Sequence, residues 1–463
     1  MQPMNQINQY YKSFTLCVIG SIILFNCSDF LEVDPPKTQI VSETVFTDDL
    51  TATSAISGIF STMMSGGSFA SGGQSSMSMQ AGLSSDEYRN LSTSATSLQF
   101  SNNALVPTNS TVASMWSGLY KYIYYANSAL EGIKQSNTLS TPVRSQLEGE
   151  ALFIRAFSHF YLVNLFGDVP IATSTDYKVN SVALRSATAI VYTQIIDDLK
   201  QASQLMNQDY SHSAGNRVRP NRYAALALLA RAYLYTEQWE LASLTSSQVI
   251  EATSLYHLEP DLNNVFLKTS NEAIWQLMPI QPQSNTSEGT AFRSLSFASV
   301  SSSLMDAFEP NDQRYNQWTT IRSVGANSYR IPFKYKIGTS GQPLTEYSMV
   351  IRLAELYLIR AEARAHLSDL NGSLSDLNAI RSRAALEEKL LSTESEILEA
   401  IAFERRIELF SEWGHRWLDL KRTQKINQVL SALKTDWRSQ DALYPIPKSE
   451  RDNNANLEQN DGY

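Results

Sequence analysis

The chain has 463 residues, 43% of them hydrophobic and 18% charged, enough apolar material to bury a large core. A formal net charge of -9 argues against a phosphate-binding surface, because nucleic-acid binders carry a basic footprint, and no nucleic-acid partner is expected. Only Cys17 and Cys27 occur, and the absence of cysteine beyond them excludes thiol catalysis in the body of the chain.

From Phe14 to Phe25 the chain is nearly all apolar. As a helix this run would span about 18 Å, short of the roughly 30 Å hydrocarbon core of a bilayer, so it does not read as a spanning segment. With Lys12 ahead of it, the run reads as a secretory signal. Its end at Leu24, Phe25, Asn26 and Cys27 resembles a bacterial lipoprotein signal, although Asn26 stands where a small residue is usual. The resemblance implies that residues 1–26 are removed and that Cys27 is lipidated. Several acyl chains, at about 0.8 kcal/mol per buried CH₂, make such an anchor stable. Residues 27–41 then form an extended tether, because Pro35 and Pro36 disfavour helix.

A first helix follows, capped by Ser42 and Glu43 or by Thr47 and Asp48, with Ala52, Ala55, Ile56, Ile59 and Phe60 at helical spacing. Residues 61–114, rich in Ser, Thr, Gly, Asn and Gln, read as a variable loop. Helical periodicity returns in "MWSGLYKYIYYANSALEGIKQ" and in "QLEGEALFIRAFSHFYLVNLF", the second ended by Gly167 and Pro170. Two more helices are expected in "SATAIVYTQIIDDLKQASQLM" and "RPNRYAALALLARAYLYTEQW", with Pro220 in a first helical turn. Small residues recur twelve apart, at Ala230 and Ala242 and again at Ala361 and Ser373. That spacing suits antiparallel helices in close approach, as in tetratricopeptide hairpins. The two copies stand much further apart than the roughly 34 residues of a regular array, so scattered hairpins with insertions are expected. Residues 279–345 lose the periodicity and gather Phe292, Phe297, Phe308, Tyr315, Trp318, Tyr329, Phe333 and Tyr335, as a loop with binding potential would.

Catalytic signatures are missing. His159, His212, His257, His366 and His415 are too dispersed for a zinc motif, and no nucleophile elbow, P-loop or dinucleotide fingerprint occurs. No metal and no cofactor is expected. Acidic pairs such as Asp86 with Glu87 read as solvated faces. Residues 400–422 are the most charged stretch. Glu404, Glu408 and Glu412 alternate with Arg405, Arg406 and Arg416 in a ladder that could pair at i, i+4, with Phe403, Ile407, Phe410 and Trp413 turned inward. This reads as a structural helix.

A ligand-binding loop combines flat aromatic rings with amides, carboxylates or guanidiniums that donate and accept hydrogen bonds. Two places fit: Asp86, Tyr88, Arg89 and Asn90 in the first loop, and Asn311, Tyr315 and Trp318 in the second. Asp312 and Arg314, between them, read as an internal ion pair.

Several segments together resemble the SusD/RagB family: "CSDFLEVDPP", "LEGEALFIRAFSHFYLVNLFGDVPI", "RYAALALLARAYLY", "MVIRLAELYLIRAEARAHL", "LNAIRSRA", "ERRIELFSEWGHRWLDLKR" and "LYPIPKSERDNNANLEQNDGY". Members usually close with Q-N-P-G-Y, and Asp461 replaces that proline here. The resemblance implies one mostly α domain over residues 27–463, a tetratricopeptide-like helical-hairpin scaffold with long irregular loops and a C-terminal helical region at about 346–463. It also implies a non-catalytic lipoprotein of the outer membrane, at the cell surface. Such a protein captures oligosaccharide on its loop side and delivers it to a SusC-like TonB-dependent transporter contacted by its helical side. Peptide cargo, a surface glycosidase and a helical adaptor for proteins alone are the alternatives left open.

Overall fold

The computed structural model describes residues 45–463, apart from 282–283, 296 and 339–340. The expected signal, Cys27 and the tether at 27–41 lie outside the described residues. Helix α1, Asp49–Met63, starts at Asp48, whose carboxylate accepts from the amides of Leu50 and Thr51, and it buries Ala52, Ile56, Ile59, Phe60 and Met63.

The stretch 61–114 departs from expectation. It contains helix α2 (Met77–Ser84), strand β1 (Tyr88–Asn90) and helix α3 (Ala95–Ser101), and helix α4 (Ser110–Gln135) already starts at its end. All eight residues of α2 are buried. A helix covered on every side has no polar face, so the periodicity that announces an amphipathic helix is missing. Its small residues serve close packing: the Tyr88 ring lies where a side chain at Gly82 would stand.

Helix α5 (Thr141–Phe166) has proline in its first turn and ends at Gly167, whose φ of 73° only glycine adopts freely. Helices α6 (Thr188–Leu205), α7 (Arg222–Tyr235) and α8 (Trp239–Ile250) follow. Asn221 caps α7 by accepting from the amide of Ala224, which leaves Pro220 outside the helix and not in its first turn.

Then come strand β2 (Ala273–Leu277), helix α9 (Ser287–Arg293), strand β3 (Ala298–Val300), the short helix α10 (Gln313–Gln317), and strands β4 (Thr319–Val324), β5 (Asn327–Pro332) and β6 (Ser348–Arg352). They form three antiparallel pairs, β1 with β3, β2 with β6, and β4 with β5. Strand β6 runs directly into helix α11 (Leu353–His366), followed by α12 (Leu370–Arg383), α13 (Glu394–Glu408), α14 (His415–Arg422), α15 (Ile426–Leu433) and α16 (Lys448–Asn453).

The hairpins read from small-residue spacing are present. Helix α7 packs on α8, and α11 on α12. Ala230, Ala242, Ala361 and Ser373 are all fully buried, and the Ser373 hydroxyl donates to the Ala361 carbonyl at 2.7 Å, an approach that a larger residue would block. Helix α8 also packs on α11, so two hairpins remote in sequence stack side by side. Among the described residues no helix is long and apolar enough to cross a membrane.

The charged stretch at 400–422 is structural, by a different arrangement from the expected ladder. Its acids reach out to other elements. Arg314 meets Glu404 at 2.5 Å and Glu408 at 2.9 Å, and Arg352 meets Glu408 at 2.6 Å and Glu412 at 2.8 Å. Lys334 meets Glu412 at 2.5 Å, and Arg383 joins Glu408 to Glu272. Arg405 pairs with Asp419, while Arg406 and Arg416 both hold Asp86. Ile407, Phe410 and Trp413 are inside as expected, but Phe403 is exposed. Local i, i+4 pairing suits a solvated face; here the acids point inward, where each charge requires a compensating partner from the surrounding chain.

Candidate functional site

The loop layer is built outward from that ion network. Asp312 caps α10 and accepts from both the amide and the guanidinium of Arg314, which makes the expected internal pair. Trp318 follows and is fully buried. Its indole N–H donates to the Leu262 carbonyl at 3.0 Å, and the Lys334 ammonium lies 4.6 Å from its ring centroid. A ring without an exposed face offers no platform to a sugar, so Trp318 is a core residue.

Strands β4 and β5 then project as a hairpin whose two-residue turn opens on Gly325 with φ of 59°, the torsion that a type II′ turn places on glycine. Arg322 lies directly opposite Tyr329. Neighbouring residues on a strand face opposite ways, so Arg322 and Tyr329 share one face and Arg330 belongs to the other. On the first face, the exposed Arg89 of β1 sets its guanidinium 5.9 Å from the Tyr329 ring centroid. On the second, Arg330 stands 4.1 Å from the ring centroid of Tyr315, whose edge meets Phe308. The hairpin therefore separates Arg89 from Tyr315.

The remaining candidates divide by burial. Asp86 is buried and its two oxygens are occupied by Arg416, at 2.7 and 3.0 Å, and by Arg406, at 2.8 Å. Tyr88 is buried with its hydroxyl 2.5 Å from that of Ser411. Both brace the sheet from behind, because β1 alternates and carries Tyr88 inward and Arg89 outward. Asn90 is half-buried, and it shapes the following turn by donating to the Ser92 carbonyl and accepting from the Ser92 amide. Asn311 is exposed in the left-handed region, with φ of 71°. Tyr329, Arg322 and Arg293 were not among the expected site residues. A signal for Tyr329 and Arg322 was present, since β-branched and aromatic residues flank Gly325 as in hairpin strands, whereas Arg293 ends helix α9 and had none.

Behind the face lie two buried acids. Burial first, and then the charge of Asp86, push the Glu87 carboxyl up to about 8; burial, and the nearby charge of Glu412, push that of Glu288 up to about 8. Both are raised above the ordinary value of 4.5, so between pH 4.5 and about 8 the folded protein holds protons that the unfolded chain has released. These two groups therefore make stability fall as the pH rises through that window. A Glu288→Gln variant, compared with the parent by urea denaturation across pH 5 to 8.5, is expected to gain relative stability toward pH 8. A constant difference would mean that Glu288 does not carry a proton in the folded state.

Helical hairpins that carry a strand-and-loop face of ring, guanidinium and amide groups define a binding protein on a tetratricopeptide-like scaffold. Residues 29–234 match a family model described as starch-binding associating with outer membrane, and residues 280–463 match that of the SusD family. The chain belongs to the SusD/RagB family. Among relatives in Formosa agariphila, SusD-like protein P2 is 26% identical over 77% of this chain and 81% of its own length, and SusD-like protein P25 is 24% identical over 94% and 96%. A SusD superfamily protein from Bacteroides vulgatus shares the fold with a TM-score of 0.79 at 22% identity, over 91% of this chain and all of its own. A laminarin-binding SusD-like protein aligns with a TM-score of 0.75 at 25% identity, over 90% and 99%.

Proposed function

We propose that this protein is a cell-surface lipoprotein, held by Cys27 in the outer membrane as one domain over residues 27–463. It binds oligosaccharides on the hairpin face and delivers them to a SusC-like TonB-dependent transporter. The observation that carries this reading is the Arg89–Tyr329 pair, a half-exposed aromatic ring with a guanidinium 5.9 Å from its centroid on the loop side of a helical scaffold. The ring can cover the C–H face of a pyranose while Arg89 reaches its oxygens. The laminarin-binding neighbour supports saccharide over peptide cargo.

The same face supports binding without catalysis. Glycoside hydrolysis needs two carboxyl groups facing each other across an open cleft. Asp86, Glu87 and Glu288, acids on the segments behind the face, are all buried.

Calorimetry of the protein against panels of oligosaccharides and peptides tests the proposal. A Tyr329→Ala variant is expected to lose affinity for a bound saccharide by about tenfold or more, the range of a central aromatic contact. Binding of peptides alone, or saccharide binding indifferent to Tyr329, would contradict it.

A further inference from the structure

We infer that the hairpin face selects saccharides bearing acidic groups, carboxylate or sulfate; this rests on the saccharide reading above and deepens it. Two arginines, Arg89 and Arg322, flank the Tyr329 ring there. Arg89 lies over Tyr329, Arg322 stands opposite Tyr329 on the same side of the hairpin, and the Arg322 guanidinium donates to the Arg293 carbonyl at 3.4 Å. The Arg293 guanidinium donates to the Lys336 carbonyl at 3.1 Å.

Among the described residues, neither Arg89 nor Arg322 forms an ion pair with a carboxylate, in a chain in which Asp and Glu number 46 against 37 Lys and Arg. Directly beneath the face, Arg314, Arg352, Arg381 and Arg383 are all paired with acids. Glu346 lies within electrostatic reach of Arg293, but it is buried, and its oxygens already accept from the amides of Lys336 and Ile337.

The donor balance points the same way. Each guanidinium has five N–H groups, and the contacts just described use at most one on each of the exposed Arg89 and Arg322, so most remain for a ligand. Sugar hydroxyls both donate and accept, and a site for neutral sugar offers acceptors as well as donors. Among the described residues this face offers guanidinium donors and no carboxylate acceptor. Carboxylate and sulfate oxygens only accept, and their planar or forked geometry matches the guanidinium fork in paired hydrogen bonds. Tyr329 between the arginines covers the ring of the same sugar, so one residue recognises the saccharide and its neighbours recognise the acid.

Titration of the full chain with oligosaccharides of matched length tests the inference: a neutral glucan from laminarin, an oligogalacturonate and a carrageenan oligosaccharide. At low salt one or both acidic ligands are expected to bind about tenfold or more tighter than the neutral one, and added salt should narrow the gap, since exposed charges are screened. Preference between galacturonate and carrageenan identifies the acidic group. Arg322→Gln and Arg89→Gln are each expected to cut the acidic-to-neutral affinity ratio by about fivefold, the scale of one exposed charge-assisted contact. Arg330→Gln, on the opposite face, should leave that ratio alone. Equal affinity for acidic and neutral ligands would overturn the selectivity and leave the saccharide reading standing. An equal effect of Arg330→Gln would overturn it as well, by reducing it to net charge. Failure of all three ligands to bind would remove the saccharide reading itself.

Discussion

Replacing Glu408 by alanine is expected to cost about 3–5 kcal/mol of folding stability, the scale of breaking a buried ion pair by removing one partner. Burial alone would raise this carboxyl; the guanidiniums of Arg383, Arg352 and Arg314 overcome that effect and hold it well below the usual carboxylate range. Without it, three cations face each other in a place where water does not reach. Urea denaturation monitored by tryptophan fluorescence gives the measurement. The exposed pair of Lys448 and Asp452, 2.6 Å apart, serves as reference, and Lys448→Ala should stay within about 0.5 kcal/mol of the parent. Equal losses in the two variants would mean that the network adds no more than a surface bridge.

The second large effect is expected at Trp275, where Ala should cost about 3–5 kcal/mol through the cavity it leaves. The ring lies edge-on to Phe60 of α1 at 5.9 Å and to Phe153 and Phe157 of α5 at 4.9 and 5.3 Å, so it joins two helices to strand β2. Its indole N–H finds no hydrogen-bond partner among the described residues. Trp275→Phe removes that buried unpaired donor along with part of the ring, and the first effect offsets some of the second. The phenylalanine variant should therefore lose well under half of what the alanine variant loses. A phenylalanine loss as large would show that the indole N–H is satisfied.

Much of the scaffold was legible because its constraints are local. The pairing of Ala230 with Ala242 and of Ala361 with Ser373 is a demand on residue size at a fixed spacing, and size is written in the sequence. Helix α2 was not legible, since burial on all sides erases the contrast between faces that periodicity detects. The partners of Glu404, Glu408 and Glu412 were hidden for another reason. They come from Arg314, Lys334 and Arg352, on segments far away along the chain, whereas the i, i+4 rule sees only one turn ahead.

The site was half legible. Tyr88 and Arg89 are adjacent and equally suited to a ligand on chemical grounds, yet strand alternation sends one inward and the other outward, and only the pairing of β1 with β3 decides which. Trp318 carries the same chemistry as an exposed platform, and its burial follows from contacts with Leu262 and Phe266, which the local sequence does not announce.

The β4–β5 hairpin leaves the protein shortly after Arg314 of α10 and returns just before Lys334, and both cations are fastened to acids of the same stretch of chain, Glu404 to Glu412. Its entry and exit are thus riveted to one plate. What lies exposed between the rivets, residues 321–328, can be rewritten while the chain on either side still lands on the same carboxylates. The hairpin is in this sense a cassette, whose tip can be edited without renegotiating the fold.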